Sequence, residues 1–368
     1  MTPAVPLAPP TRVVVCGATF GRAYVDAVLR DPARFTLAGV LGRGGSSSRA
    51  AAEHAGVPWW TDVDQVPDDV DVAAVVVRSG VVGGQGTELA RALLARGVHV
   101  VQEQPLHHDE VAGNLRAARG GGATFVLGDP YPHLPAVRRF VAAAAAARAA
   151  DDIVFVDAAC AVQVAFPLLH VLGAALGSLR PWRFGAPAEP VHPDDPLRVM
   201  SGQLGGVPLS LRVQTEMDAD DPDNHLLRLI TITIGTTAGN LTLLDAHGPV
   251  VWSPRLHVPR AVRLAGRFDD EEAAHLGMPA ATLLDAADSA TQRDLLATHF
   301  PDALAAVLGT LRPDSATPPE AGARLLAACR AWHDLTERLG YPRLRPHPTP
   351  VPRPAAALRA AADAADPR

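Results

Sequence analysis

Two polar residues stand where a short apolar strand ends, within the segment 97–108. The β-branched residues of this segment predict a buried strand, and Pro105 ends it because proline has no N–H for a further ladder bond. Glu103 and Gln104 directly precede that proline. In an open α/β sheet, ligands bind outside the carboxyl ends of the strands. We therefore expect Glu103 and Gln104 to lie in a ligand site, if the chain before them forms such a sheet.

The basic residues narrow the chemistry available to this site. All 33 basic residues among the 368 are arginine, since the sequence contains no lysine. Schiff-base formation, a P-loop lysine and a lysine general acid are therefore excluded. The net charge of -6, without a basic block, predicts that nucleic acid is not a partner.

The cysteines and the hydropathy pattern indicate the cellular environment. Cys16, Cys160 and Cys329 are odd in number and far apart, which argues against a disulfide framework or a zinc site. The sequence contains no run of about 20 apolar residues, so we predict no membrane span. We expect a cytoplasmic protein without a metal site. Residues 1–10 lack a positively charged segment and are expected to form a disordered lead-in and not a signal peptide.

The first 30 residues contain an apolar run, a glycine turn and a helical pattern, in that order. The turn contains Gly17, Thr19, Phe20 and Gly21. Strand, turn and helix are the context of a dinucleotide-binding fingerprint. The match is imperfect, because Thr19 occupies the second glycine position and Gly21 comes one residue early. A plain strand-to-helix turn is the alternative.

The second predicted strand, residues 35–41, ends in residues that suit a phosphate. Gly42 stands where an NAD-binding unit usually carries an acidic residue. The arginines and hydroxyls that follow it include Arg43, Ser46, Ser48 and Arg49. A dianionic 2′-phosphate prefers fork-shaped cations and hydroxyl donors, so we interpret this segment as an NADPH pocket. A flexible Gly/Ser loop with solvated arginines is the alternative.

The order of the elements predicts an α/β protein of two domains. Alternating strands and helices over residues 11–130 predict a doubly wound Rossmann domain with a parallel sheet. Residues 131–341 predict an α+β domain with a large, open, mostly antiparallel sheet, whose face is a candidate dimer interface. Late helices are predicted at 280–296, 301–311 and 319–339. The Pro/Ala-rich tail, 342–368, is expected to become disordered.

Several motifs resemble those of one family. They lie at residues 17–24, 77–79, 83–91, 96–107 and 131–133. With this order of domains, they resemble the thiazolinyl imine reductases of siderophore biosynthesis, within the glucose–fructose oxidoreductase and inositol dehydrogenase superfamily. Those enzymes use NADPH to reduce a thiazoline to a thiazolidine while a nonribosomal peptide synthetase carrier domain holds the intermediate as a thioester. The resemblance implies this activity and this carrier domain as partner, while the open sheet face is the basis for expecting a homodimer.

The same resemblance implies roles for single residues. It assigns Arg78, Ser79 and Glu103, with the turn and the arginine segment described above, to binding the cofactor. The superfamily motif is Glu-Lys-Pro, and a histidine replaces the lysine in better-known relatives. Gln104 departs from both patterns, and glutamine does not deliver a proton at neutral pH. Gln104 is therefore expected to position the carboxamide or the substrate nitrogen.

The proton donor has several candidates. Tyr131 is the first, because it follows the last Rossmann strand and lies between prolines that restrict its backbone. His133 is the second, and water is a third. His107 and His108 are interpreted as residues of a first helical turn, and His170 as a core histidine with a lesser claim to catalysis.

Two other functions remain open at this point. One is a dehydrogenase for a free sugar or cyclitol, against which the missing lysine argues. The other is a regulator that binds NADPH without catalysis.

Overall fold

The computed structural model describes residues 9–77, 84–268, 271–285, 290–312 and 320–365. In the first part of the chain, six strands form one parallel sheet in the order β3-β2-β1-β4-β5-β6. The strands are β1 Thr11–Cys16, β2 Phe35–Leu41, β3 Trp59–Trp60, β4 Val72–Val75, β5 His99–Glu103 and β6 Phe125–Gly128. The helices between them are α1 Gly21–Arg30, α2 Ser46–Ala55, α3 Gln85–Ala95 and α4 His108–Gly121. This arrangement confirms the predicted doubly wound Rossmann domain.

The second part of the chain contains a sheet of eight strands in the order β15-β14-β13-β12-β7-β10-β9-β8. Its elements are α5 Pro135–Ala150, β7 Ile153–Ala161, α6 Ala165–Leu176, β8 Trp182–Phe184, β9 Leu197–Leu204, β10 Val207–Gln214, β11 Glu216–Met217, β12 Ile230–Thr236, β13 Gly239–Leu243, β14 Val250–Pro254, α7 Arg260–Ala265, β15 Thr282–Leu283, α8 Gln292–Asp294, α9 Phe300–Gly309, α10 Ala321–Leu339, β16 Arg343–Leu344 and α11 Ala355–Ala365. β7 and β10 pair in parallel, and the other neighbours in this sheet pair antiparallel. The predicted mostly antiparallel sheet is thus confirmed.

Burial explains why these strands form. The four residues of β1 from Val13 to Cys16 are fully buried, as expected of a parallel strand covered by helices on both faces. In β7, the side chains of Val156, Ala158 and Cys160 point into the core. Near the start of this strand, the neighbouring residues are more exposed. One face of this second sheet is covered by α5 and α6.

The late helices connect the two domains. Leu304 and Leu308 of α9 are buried in one cluster with Val25 and Val28 of α1. Helix α10 contacts both α4 of the first domain and α6 of the second. The chain therefore returns to the first domain after completing the second sheet, and helices from distant parts of the sequence flank the domain junction.

The predicted helix at 280–296 is wrong. Residues 282–283 form β15 and pair with β14, residues 286–289 lie outside the described residues, and the described chain is helical again from Gln292. The Val250 N–H donates to the Asp285 carboxylate at 2.9 Å, which holds this segment against the sheet edge. Pairing with an exposed strand edge satisfies main-chain groups here, so tertiary context overrides the helical pattern.

The tail is ordered at its start. β16 pairs in parallel with β11, and the guanidinium groups of Arg343 and Arg345 lie 2.7 and 3.2 Å from the same Glu216 carboxylate oxygen. Helix α11 follows and is exposed along its length. In the described ranges, no helix is long and apolar enough to cross a membrane.

Candidate active site at the domain junction

The crevice at the carboxyl end of the first sheet lies where the strand order reverses, between β1 and β4. Gly17 follows β1 with φ +95°, a conformation that favours glycine. A Cβ at this position would come within 2.4 Å of the Val76 carbonyl oxygen after β4. Glycine is thus required for two strand ends to approach each other, at the point where dinucleotides bind in this fold.

Helix α1 begins at this crevice with its first turn open. Thr19 and Phe20 are exposed, and Gly21 starts the helix. Within the described residues no side chain caps its N-terminus, and its first turn contains no acidic residue. Free N–H groups and the positive end of the helix dipole suit a pyrophosphate. The four predicted residues of the turn therefore lie at this crevice, and their binding of a dinucleotide stays a prediction.

The segment after β2 begins with side chains that are exposed to solvent and continues with side chains that contact other residues. Arg43 and Ser46 are exposed. Ser48 is buried; its hydroxyl donates to the Gly45 carbonyl oxygen at 2.9 Å and accepts from Trp59 at 3.2 Å. The second arginine, Arg49, lies 3.3 Å from the Glu53 carboxylate and stacks over the Trp59 ring. The segment is therefore not a flexible loop throughout, because α2 begins at its Ser46.

Arg78 and Ser79, the remaining predicted cofactor residues, lie outside the described residues. The structure therefore adds nothing to their assignment.

At the end of β5, Glu103 forms a closed pair with Tyr24 of α1. The Tyr24 hydroxyl donates to Glu103 Oε2 at 2.8 Å. Burial, the largest cause, and the nearby Asp129 carboxylate raise the pKa of Glu103 to about 8, although the Tyr24 bond opposes this. A Cβ on Gly128 would come within 2.2 Å of the Tyr24 hydroxyl, so this pair also depends on a glycine at the end of β6.

Gln104 has an unsatisfied acceptor. Its Oε1 atom is buried and has no hydrogen-bond partner in the described part of the chain. A buried amide oxygen without a partner costs about 1–3 kcal/mol. A bound ligand with an N–H or O–H group would satisfy it, and this fits the predicted positioning role.

The strand before these residues is held by a polar network. Gln102 is fully buried; its amide oxygen accepts from Asn114 Nδ2 of α4 at 2.8 Å. The Gln102 amide nitrogen donates to the Thr87 hydroxyl of α3 at 3.3 Å, and Arg91 donates to Asn114 Oδ1 at 3.2 Å. These bonds tie β5 to both neighbouring helices and so fix the position of the strand end.

Asp129, directly after β6, connects the two domains. Its side chain is fully buried; Oδ1 accepts the Tyr131 backbone N–H at 3.0 Å, and Oδ2 lies 2.8 Å from Nδ1 of His170 on α6. A carboxylate only accepts, so Nδ1 carries the proton in this bond. In the neutral imidazole, Nε2 is then an acceptor, and 35% of the His170 side chain remains exposed.

Tyr131 is buried at 8% exposure in a single 3₁₀ turn after Asp129. Its ring packs edge-on against Phe300 of α9, which packs against Phe20, with centroids 6.2 Å apart in each pair. Burial and the Asp129 carboxylate raise the pKa of Tyr131. The phenol is therefore protonated at neutral pH and able to donate a hydrogen bond.

His133 closes the same turn and is half-buried. Burial lowers its pKa below the ordinary 6.5, although the Asp129 carboxylate opposes this. The side chain is neutral at pH 7, which weakens its candidacy as a general acid.

The structure thus brings Glu103 and Tyr131 close to the same carboxylate, Asp129. Asp129 and Phe300 are the residues of this junction that sequence reasoning missed, and His170 contacts Asp129 here while its role stays a prediction. Asp129 could have been identified from the sequence, because it is an acidic residue at the end of a predicted buried strand. Phe300 could not have been identified, because it reaches this junction only through the packing of α9 against the first domain.

Comparisons with known proteins agree with this architecture. Residues 11–128 match the oxidoreductase family with an NAD-binding Rossmann fold. Residues 152–253 match the family described as thiazolinyl imine reductase Irp3-like, C-terminal. No curated protein matches the chain.

Three solved structures illustrate the shared fold. GenD2 from gentamicin A biosynthesis, in complex with NAD, is 14% identical with a TM-score of 0.63; the match covers 91% of this chain and 95% of that one. UDP-N-acetylglucosamine 3-dehydrogenase GnnA from Acidithiobacillus ferrooxidans is 18% identical with a TM-score of 0.58, over 87% and 95%. Biliverdin reductase from Synechocystis sp. PCC 6803, with biliverdin and NADP+, is 13% identical with a TM-score of 0.57, over 89% and 98%.

At these identities the solved structures show the shared fold alone. The two family matches cover the two domains separately and in the expected order. The chain is therefore an oxidoreductase-family protein with an NAD(P)-binding Rossmann domain, an Irp3-like member of the glucose–fructose oxidoreductase and inositol dehydrogenase superfamily.

Proposed function

We propose that this protein reduces the C=N bond of a thiazoline to a thiazolidine, using NADPH, while a nonribosomal peptide synthetase carrier domain holds the substrate as a thioester. The observation that carries the proposal is the match of residues 152–253 to the Irp3-like C-terminal domain. We also propose that the protein acts in siderophore biosynthesis and is located in the cytoplasm.

The residues of the crevice fit a nicotinamide dinucleotide. Gly17 leaves room beside β4, and the uncapped start of α1 offers N–H groups to phosphate. Arg43 and Ser46 are exposed at the end of β2, where the adenosine ribose lies in this fold. A 2′-phosphate there suits an arginine and a hydroxyl better than a plain ribose does, which supports NADPH.

The reduction needs a hydride at carbon and a proton at nitrogen. Reduced nicotinamide supplies the hydride when it is bound. Tyr131 is our proposed donor of the proton to the ring nitrogen. Its raised pKa keeps it protonated at neutral pH but also makes it a weak acid, so the proton moves as the hydride reaches the carbon and negative charge develops on the nitrogen. The Gln104 amide oxygen accepts a hydrogen bond from a ligand N–H, which the nicotinamide carboxamide offers and an unprotonated thiazoline nitrogen does not, and so orients the carboxamide.

A second function is supported by one feature, the bond between Asp129 and His170. It leaves the second nitrogen of His170 as an acceptor in the neutral ring, and about a third of the side chain is exposed. Such an imidazole suits a general base, which the oxidation of an alcohol requires. Dehydrogenation of a sugar or cyclitol is therefore the second candidate, although no lysine stands at position 104.

One set of assays separates these functions. The purified protein is given NADPH with a synthetic thiazoline thioester on a pantetheine arm, and in parallel NADP+ or NAD+ with a panel of sugars and cyclitols. We expect NADPH consumption with thiazolidine formation, and little oxidation of the alcohols. Alcohol oxidation without thiazoline reduction would establish the second function. Tight NADPH binding without turnover of either class would instead favour a regulator.

The open face of the eight-stranded sheet is our proposed homodimer interface. Phe155 and Val199 are exposed on this face, beside an ion pair of 3.1 Å between Asp157 and Arg212. Its mixture of apolar and paired polar groups resembles that of a protein interface. Light scattering should give twice the chain mass, and Phe155→Asp should shift it toward the monomer; a wild-type monomer would contradict this interface.

A further inference from the structure

A loop of the second domain lies near the proposed proton donor. It comprises residues 218–225, follows β11 and contains four aspartates, and we call it the aspartate loop. The Gln163 side-chain nitrogen donates to the Pro222 carbonyl oxygen at 2.9 Å and ties the loop to the turn before α6. Helix α6 carries His170 and contacts the 3₁₀ turn of Tyr131. The aspartate loop is therefore fixed on the second-domain side of the site.

Two side chains of this region have acceptor oxygens available to a ligand. Gln163 Oε1 is buried and has no hydrogen-bond partner in the described ranges, which costs free energy until a donor binds. The Asp223 carboxylate is exposed. Burial is the main cause of the raised pKa of Tyr131 and the charge of Asp223 adds to it, so this carboxylate lies near the phenol. Both kinds of oxygen only accept hydrogen bonds, and they therefore suit a ligand with N–H groups.

The start of the C-terminal tail contacts both ends of the aspartate loop. We call residues 343–347 the C-terminal strap. The His347 backbone N–H donates to the Asp218 carboxylate at 2.8 Å, and the His347 ring stacks on the His225 ring with centroids 5.4 Å apart. His225 has φ +59°, a left-handed conformation that is uncommon for residues other than glycine. This end of the loop therefore needs support from outside, which the strap provides together with Gln214, whose side-chain nitrogen donates to the His225 carbonyl oxygen at 3.2 Å.

A buried carboxylate holds the C-terminal strap. Glu216 is 4% exposed and contacts the guanidinium groups of Arg343 and Arg345. Arg343 also donates to the Pro193 and Asp195 carbonyl oxygens at 3.0 Å each. Removing the two arginines leaves a buried charge without a partner, which is strongly unfavourable. The position of the strap therefore depends on these arginines.

We propose that Gln163 and the aspartate loop form the wall of the site that binds the arm of the substrate, and that the C-terminal strap holds this wall in place. In the proposed reductase function, on which this assignment rests, the substrate is carried as a thioester on a pantetheine arm. That arm contains amide N–H groups, from which the Gln163 amide oxygen and the Asp223 carboxylate accept hydrogen bonds. Gln163 is then a binding residue, whereas Glu216 is a positioning residue that acts through the strap.

Steady-state kinetics with two synthetic thiazoline thioesters test the binding role. One thioester carries the pantetheine arm, and the other carries a propyl group, which has no N–H. Gln163→Ala should raise KM about tenfold for the pantetheine thioester and change it little for the propyl thioester, because only the first loses a hydrogen bond. An equal rise in KM for both thioesters would indicate a structural defect and overturn the binding role.

Hydrogen exchange measured by mass spectrometry tests the strap. The double variant Arg343→Ala/Arg345→Ala should exchange the amides of residues 218–225 at least about tenfold faster than the wild type, and should also raise KM for the pantetheine thioester. The matched control is Arg353→Ala/Arg359→Ala, at two exposed arginines outside the strap, and it should leave both measurements unchanged.

Circular dichroism checks the folding of each variant, and Glu216→Gln replaces the double variant if that chain does not fold. An active wild type with the same KM as Gln163→Ala would overturn the substrate-binding wall but not the proposed function. Loop amides that exchange at the wild-type rate in the folded strap variant would show that the strap does not hold the loop. A wild type that reduces neither thioester would overturn the proposed function and, with it, this assignment.

Discussion

Two pairs that each contain an acidic side chain lie at the ends of the neighbouring strands β5 and β6, and they differ in what they leave exposed. Tyr24 and Glu103 are joined by a bond of 2.8 Å, and Tyr24 is fully buried. Asp129 and His170 are also 2.8 Å apart, but about a third of the histidine faces solvent. The first pair is closed within the Rossmann domain. The second is open and joins the two domains.

This difference indicates that the first pair contributes mainly to stability, whereas the second can take part in chemistry. A closed pair holds its elements together, whereas an open pair or an open side chain can meet a ligand.

Tyr131→Phe should lower kcat of the proposed reduction about a hundredfold, because the variant lacks the phenol that donates the proton. The fold should change little, since the aromatic packing against Phe300 is retained. Tyr341→Phe is the matched control, because Tyr341 is 97% exposed. Steady-state kinetics with NADPH and the thioester measure both; a Tyr131→Phe enzyme with wild-type kcat would remove this tyrosine from the mechanism.

Gly128→Ala should reduce the free energy of unfolding by about 2 kcal/mol, since the added methyl group overlaps the Tyr24 hydroxyl and separates the closed pair. Urea denaturation provides the measurement. Gly120→Ala in α4 is the control, because nothing lies within 4 Å of its added Cβ and alanine favours a helix. Equal stability of the wild type and Gly128→Ala would show that the pair is not tightly packed.

Arg43→Ala should weaken binding of NADPH about tenfold more than binding of NADH, since Arg43 is the exposed guanidinium after β2. Ser48→Ala should reduce stability without changing this preference, because its hydroxyl is already bonded to Gly45 and Trp59. Fluorescence titration with both cofactors gives the ratio. Equal losses for the two cofactors in Arg43→Ala would mean that the segment does not bind the 2′-phosphate.

Glu103→Gln should change how stability depends on pH. Folded Glu103 keeps its proton up to about pH 8, whereas its ordinary pKa is 4.5. Between these values the folded state binds more protons, so the free energy of unfolding of the wild type falls as pH rises, by about 1 kcal/mol per unit. The glutamine variant lacks this contribution. Urea denaturation at several pH values between 5 and 8 compares them, and parallel curves would show that Glu103 is ionised in the folded protein.

Local patterns predicted the parts of the site formed by short segments. Gly17 and the run before Pro105 were recognisable because a strand followed by a glycine or a proline has few other structures available. The helix predicted at 280–296 failed, because its main chain pairs with the edge strand β14. Ser48 was predicted to offer its hydroxyl to a phosphate. Its burial was not predictable, because it depends on Trp59, which lies eleven residues later.

The sequence by itself determined the α/β architecture, the strand end at Glu103 and Gln104, and the absence of any lysine chemistry. These follow from residue type, hydrophobic period and turn residues, all of which act over a few positions. Only the tertiary structure decided that Asp129 meets His170, that Phe300 packs against Tyr131, and that His333 of α10 packs against His107 and His108. Such contacts join residues about 40 to 230 positions apart, and they form because buried apolar faces bring α6, α9 and α10 to the junction.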